Sequence, residues 1–150
     1  MLYEELKDRA ERNGLRIIEK SFKSKHLKGI CKGNKIGIRK ELPISVKTCV
    51  LAEEMGHIAT TTGNIIDQRN ANNIKQEGRA HRWAHTQILP ICHLYDAFKK
   101  GYRESYEMAE YLEVSEDFLK ESLDHYNAKL GQNLFEHIES NEEPHMREKD

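Results

Sequence analysis

The stretch from Val46 to Ile58 constrains this chain more than any other. Val46, Cys49 and Val50 recur at helical spacing, and the same stripe, continued at steps of three and four, runs into Glu53, Glu54 and His57. A face that begins as core therefore ends in two carboxylates and an imidazole. Burying an unpaired carboxylate is costly enough that such a face needs a compensating charge, and a divalent cation supplies one. Glu53 and His57 are one helical turn apart and reach the same ion. Glu54 is offset by one position, where a general base meets a water activated by a metal. The pattern is that of the HExxH helix with its first histidine replaced by glutamate. Taken alone, a Glu and a His at this spacing also fit an ordinary surface pair.

A second helix supplies the context. Between Lys75 and Leu89, Ala80, Trp83-Ala84 and Ile88 form an apolar face that Pro90 ends, and Glu77 lies on the N-terminal extension of that face. A carboxylate from a neighbouring helix would complete a three-ligand site with an open position, as catalytic zinc requires. By itself, Glu77 also fits a helix-start acid favoured by the macrodipole.

Leu51-Ala52-Glu53-Glu54-Met55-Gly56-His57, followed by Glu77-x-x-Ala80-x-x-Trp83-Ala84 and Leu89-Pro90, resembles the ImmA/IrrE family of metallopeptidases. The resemblance covers roughly residues 10–100. It implies metal ligands Glu53, His57 and Glu77, with Glu54 as catalytic base, in a zincin-like α+β fold whose small N-terminal sheet lies beside the active-site helix. It also implies one divalent metal, zinc first, and a protein substrate. In this family that substrate is a helix-turn-helix repressor of a phage or mobile element. The chain departs from the family at Glu53, where histidine is usual. One histidine and two carboxylates form a harder, more anionic site, less selective for zinc and more tolerant of manganese or iron. The added charge also makes a bound water less acidic, which leaves open a catalytically weak repressor-binding module of the same fold. His81 and His85, four apart on the second helix, are candidates for groups that support the ligands or meet the transition state; as half-exposed residues flanking Trp83 they would do neither.

The rest of the chain frames this site. Leu2, Leu6 and Ala10 mark a helix that Asn13-Gly14 closes, Leu15 to Glu19 reads as a strand, and Gly33-Asn34 turns a hairpin within Lys28 to Glu41. Ser45 is an apparent N-cap for the helix to Thr61. Asn64 to Asn73 reads as a loop anchored by Ile65-Ile66. Short helices follow at about 92–100, 104–112 and 115–128, and 139–150 reads as a disordered tail. Strands first and helices after give the α+β class, with residues 1–138 as one domain that includes a C-terminal helical pair at about 104–128.

Charge and composition narrow the function classes. Residues 16–49 hold ten Lys/Arg against Glu19 and Glu41, while 104–150 hold fourteen Asp/Glu against four Lys/Arg. The basic hairpin region would favour an acidic segment laid along its sheet edge. Met108 to Leu119 resembles a helix-turn-helix, with Leu112, Val114, Phe118 and Leu119 as its small core. Its second helix, however, shows Glu116, Asp117, Glu121 and Asp124, which repel phosphate, so it reads as a packing or docking pair and not as a DNA reader. The Glu54-x-x-His57 spacing of di-iron bundles has its one other copy at Glu142-x-x-His145, interrupted by Pro144, and is set aside. Cys31, Cys49 and Cys92 are odd in number and lack metal-ligand spacing. With no apolar span and no signal-like N-terminus, the reading is a cytoplasmic protein with no membrane segment, Cys49 lying in the core.

Overall fold

The computed structural model describes residues 2–61 and 71–136. The expected Ile65-Ile66 anchor and the 139–150 tail lie outside the described residues. Six helices and three strands are described: α1 (Leu2–Arg12), β1 (Arg16–Lys20), β2 (Gly29–Lys32), β3 (Lys35–Arg39), α2 (Ile44–Thr60), α3 (Ala71–Ile88), α4 (Ile91–Lys99), α5 (Ser105–Leu112) and α6 (Glu116–Leu130). They fall into two compact units that divide between Gln87 and Ile88.

In the first unit the sheet order is β1-β3-β2. β2 and β3 form the expected hairpin, with Gly33 at φ +63° in the first turn position, where a two-residue hairpin turn needs glycine. β3 also pairs in parallel with β1, placing Ile17 beside Ile36. That pairing needs a crossover and is not encoded in local turn signals. Ile36 and Ile38 of β3 are fully buried and present one face of the sheet to α2, whose Cys49, Val50, Leu51, Ala52 and Met55 are buried in turn. Tyr3, Leu6 and Ala10 give α1 its buried stripe, and Gly14, at φ +85°, closes that helix as expected. Glu19 ties three elements together. Tyr3 Oη donates to its Oε2 at 2.9 Å and Lys47 Nζ to its Oε1 at 2.5 Å. The Lys47 bond is the main reason the Glu19 carboxyl is held below its ordinary range.

Two helix starts differ from the sequence reading. α2 begins at Ile44 with Pro43 at the N-cap, so Ser45 lies inside the first turn and caps nothing. Proline lacks an N–H to satisfy, and its carbonyl accepts from Lys47 N at 2.9 Å. α3 already includes Ala71, inside the segment read as a loop. Polarity alone does not break a helix, and Ala71-Asn72-Asn73 contains neither glycine nor proline.

In the second unit, Leu94, Tyr95, Ala97 and Phe98 of α4, Met108 and Ala109 of α5, and Phe118, Leu119 and Tyr126 of α6 are buried. Phe98 stacks on Phe135 at 4.6 Å, with the Arg103 guanidinium 3.6 Å above the Phe98 ring. Ser115 caps α6 by accepting from Phe118 N at 3.2 Å. Val114, Phe118 and Leu119 are buried as the sequence indicates, and Asp117, Glu121 and Asp124 face outward. No described helix is long and apolar enough to cross a membrane.

Candidate metal centre

The site is built where α2 and α3 approach at two small residues. A Cβ on Gly56 would lie 2.5 Å from the Ala80 carbonyl oxygen, so the backbones touch with no side chain between them. Glu53 stands three residues before that contact and His57 one after. On α3, Glu77 stands three before it and His81 one after. Glu and His from each helix therefore meet on one side of the crossing.

The resulting pairs run as a chain. His57 Nε2 lies 3.5 Å from Glu77 Oε2, His81 Nε2 lies 3.8 Å from that same oxygen, and His81 Nδ1 lies 3.9 Å from Glu53 Oε1. All four side chains are partly exposed, from 24% for His57 to 50% for Glu77. α2 ends one turn beyond the site. There Thr60 Oγ1 donates to the Gly56 carbonyl at 2.7 Å, and the Thr61 hydroxyl and N–H donate to that of His57.

Glu54 points the other way from the α3 contact, toward the sheet. Gly29 of β2 makes this possible, because a Cβ there would lie 2.5 Å from Val50 Cγ1 and 3.3 Å from Glu54 Oε1. Burial pushes the Glu54 carboxyl up to about 7, with the charges of Glu53 and Glu77 adding to the effect. A cleft of about 460 Å³ opens here, lined by Cys31, Gly33, Glu54, His57, Ile58, Thr61 and Glu77. β2 is an edge strand of the sheet, and Cys31 on it reaches the cleft.

An acid near pH 7 beside carboxylate and imidazole donors is the equipment of metal-assisted hydrolysis. Carboxylate and imidazole are donors that suit a divalent ion. Two tetrahedral donors about 2.0–2.1 Å from zinc stand roughly 3.3 Å apart, which the His57–Glu77 pair approaches at 3.5 Å. The family model of the IrrE N-terminal-like domain, a peptidase family, matches residues 10–124. The chain belongs to this family. A search of curated proteins finds no match. The family match carries with it a metallopeptidase or regulator fold and a divalent metal. It extends past the motif helices through α4 and α5 and into α6.

Of the residues singled out in the sequence, Glu54, His57 and Glu77 line one cleft, and Glu53 stands one contact away at His81. His81 is more intimate with the site than its place beside Trp83 suggests. His85 is buried at 4% exposure and not half-exposed, because α3 turns it onto the same buried side as Ala84 and Ile88. Its ring nitrogen comes within 4.8 Å of that of His81. Cys31 was missed as a cleft residue. It has no partner motif in sequence, and only the folding of β2 beside α2 brings it near Glu54, whose charge adds to burial in raising the thiol.

Proposed function

We propose that this protein is a metal-dependent endopeptidase whose substrate is a helix-turn-helix repressor, as in phage or mobile-element members of its family. The observation that carries this reading is the cleft that brings Glu54, His57 and Glu77 together beside the edge strand β2. A carboxylate within reach of a substrate-binding cleft and of imidazole and carboxylate donors is placed to take a proton from water and return it.

His57 and Glu77 would hold the ion, with a third donor from the Glu53–His81 pair. Zinc is the first expectation, with manganese or iron as alternatives. When bound, the ion would supply polarisation of the scissile carbonyl. Glu54 would accept a proton from the attacking water on a carboxylate oxygen and deliver it to the leaving amine. The substrate would extend along the free edge of β2, pairing its backbone with the strand. Lys28, Lys32 and Lys35 are exposed around that hairpin and favour an acidic segment.

Metal content measured by elemental mass spectrometry, beside a His57→Ala control, tests the site. About one ion per chain that the control loses is the expected result. Cleavage of a partner repressor tests the activity, and Glu54→Gln should abolish it.

A second reading is favoured by Glu53 itself, whose charge disfavours an acidic water. In it, the protein sequesters a repressor without cutting it. Glu54→Gln that still relieves repression as the wild type does would establish this reading and remove the peptidase.

A further inference from the structure

We propose that the face of the sheet turned away from α2 is a docking surface for an acidic amphipathic helix of a protein partner. The proposal is independent of the metal site, because it uses neither α2 nor the cleft.

Strand alternation defines the face. Ile36 and Ile38 of β3 are buried on the α2 side, so Lys35, Gly37 and Arg39 point the other way. The register carries that face across the sheet in rows. Arg16, Lys35 and Lys32 stand side by side, followed by Ile18, Gly37 and Ile30, and then by Lys20 and Arg39. An apolar row thus lies between two rows of cations, with successive rows two residues, roughly 7 Å, apart. Among the described residues, the one carboxylate that the strands carry is Glu19, which lies on the opposite face with Tyr3 and Lys47.

The middle row is open to a partner. Ile18 and Ile30 are 39% and 44% exposed, although both belong to regular strands. Arg39 is already engaged. Its Nε donates to the Leu27 carbonyl at 2.8 Å, it pairs with Glu41 at 3.9 Å, and its guanidinium stands 5.5 Å from the centre of the Phe22 ring. The charge offered outward is that of Arg16, Lys20, Lys32 and Lys35, all exposed.

An amphipathic helix matches this arrangement, since it presents one apolar stripe with polar flanks on both sides. Three strands span about 10 Å, which is also the rise of a helix from i to i+7. Carboxylates on the flanks would meet both rows of cations, while the stripe covers Ile18 and Ile30. Nucleic acid fits less well. Its bases stack on aromatic faces, and isoleucines offer none. The Phe22 ring has its edge 3.6 Å from where a Gly37 Cβ would stand, and Lys20 and Arg39 lie over its face at 5.9 and 5.5 Å.

The test is a fluorescein-labelled synthetic helix with leucines at i, i+3, i+4 and i+7 flanked by glutamates, titrated with the full chain and read by anisotropy. The variants lie on β1, across β3 from the free edge of β2, so a peptide laid along that edge does not sense them. Ile18→Ser and Arg16→Glu/Lys20→Glu should each weaken binding about tenfold. Melting curves check the fold, and Arg16→Gln/Lys20→Gln replaces the charge reversal should that variant unfold. A peptide of the same composition with its leucine stripe scrambled should bind at least about tenfold more weakly than the intact one. Unchanged binding by the folded variants, or equal binding of the scrambled peptide, overturns the proposal. Tighter binding of oligothymidylate that the same variants weaken makes the face a nucleic-acid platform and overturns it too. A wild-type dimer in sedimentation that these variants split assigns the face to a second copy of the chain, with the same consequence.

Discussion

Gly56 and Ala80 lie so close that a methyl group on Gly56 would come 2.5 Å from the Ala80 carbonyl oxygen. The obstacle is backbone, which cannot rotate away, so Gly56→Ala must push α2 and α3 apart. Overpacking of this kind costs about 1–3 kcal/mol. Since Glu53, His57, Glu77 and His81 are arranged around this contact, the same change should weaken zinc binding as well. Thermal denaturation and chelator-competition titration of the variant check both effects, and a variant with unaltered zinc affinity would show that the crossing does not set the donor spacing.

The Glu54 carboxyl gives the metal-free protein a defined pH dependence. Its folded-state value is raised from 4.5 to about 7. The folded form therefore holds a proton that the unfolded chain releases at lower pH. Its stabilising contribution is fully present below 4.5 and is lost as pH rises through about 7. The loss is about 1–3 kcal/mol after allowance for partial solvation. Glu54→Gln should flatten that part of the profile and raise the stability of the metal-free protein at pH 8. Urea unfolding of both proteins between pH 4 and pH 8 is the measurement.

Gly29 is the second close approach, this time between sheet and helix. A Cβ there meets Val50 Cγ1 at 2.5 Å and Glu54 Oε1 at 3.3 Å. Valine is stiff at χ1 and cannot readily yield, so Gly29→Ala should cost about 1–3 kcal/mol. It should also displace β2 from Glu54. The variant's melting temperature, and its rate on a cleaved substrate, would both fall.

Much of the frame is legible in local sequence. The 3.6-residue period of apolar positions finds α1, α2 and α3, the Gly33-Asn34 turn finds the hairpin, and Ser115 finds the start of α6. The spacing of Glu53, Glu54 and His57 places them on one stretch of helix whatever surrounds it, because a side chain's direction there depends only on residue number. Helix starts were less legible. Pro43 and the polar residues Asn72-Asn73 carry weak signals that an N-cap serine and a loop-like composition outweigh.

Other relationships required the folded chain. The parallel pairing of β1 with β3 joins segments separated by β2, and no short-range rule states it. The elevated Glu54 carboxyl arises from burial beneath β2 together with two charges, one of them from another helix. Cys31 belongs to the cleft only because β2 packs on α2. The sequence by itself determined which helices carry carboxylate and imidazole donors, since helical periodicity is a local property. Only the tertiary structure decided that Glu77 Oε2 lies between His57 and His81, and that Glu53 faces His81, because those distances depend on two helices meeting at glycine and alanine, where no side chain keeps their backbones apart.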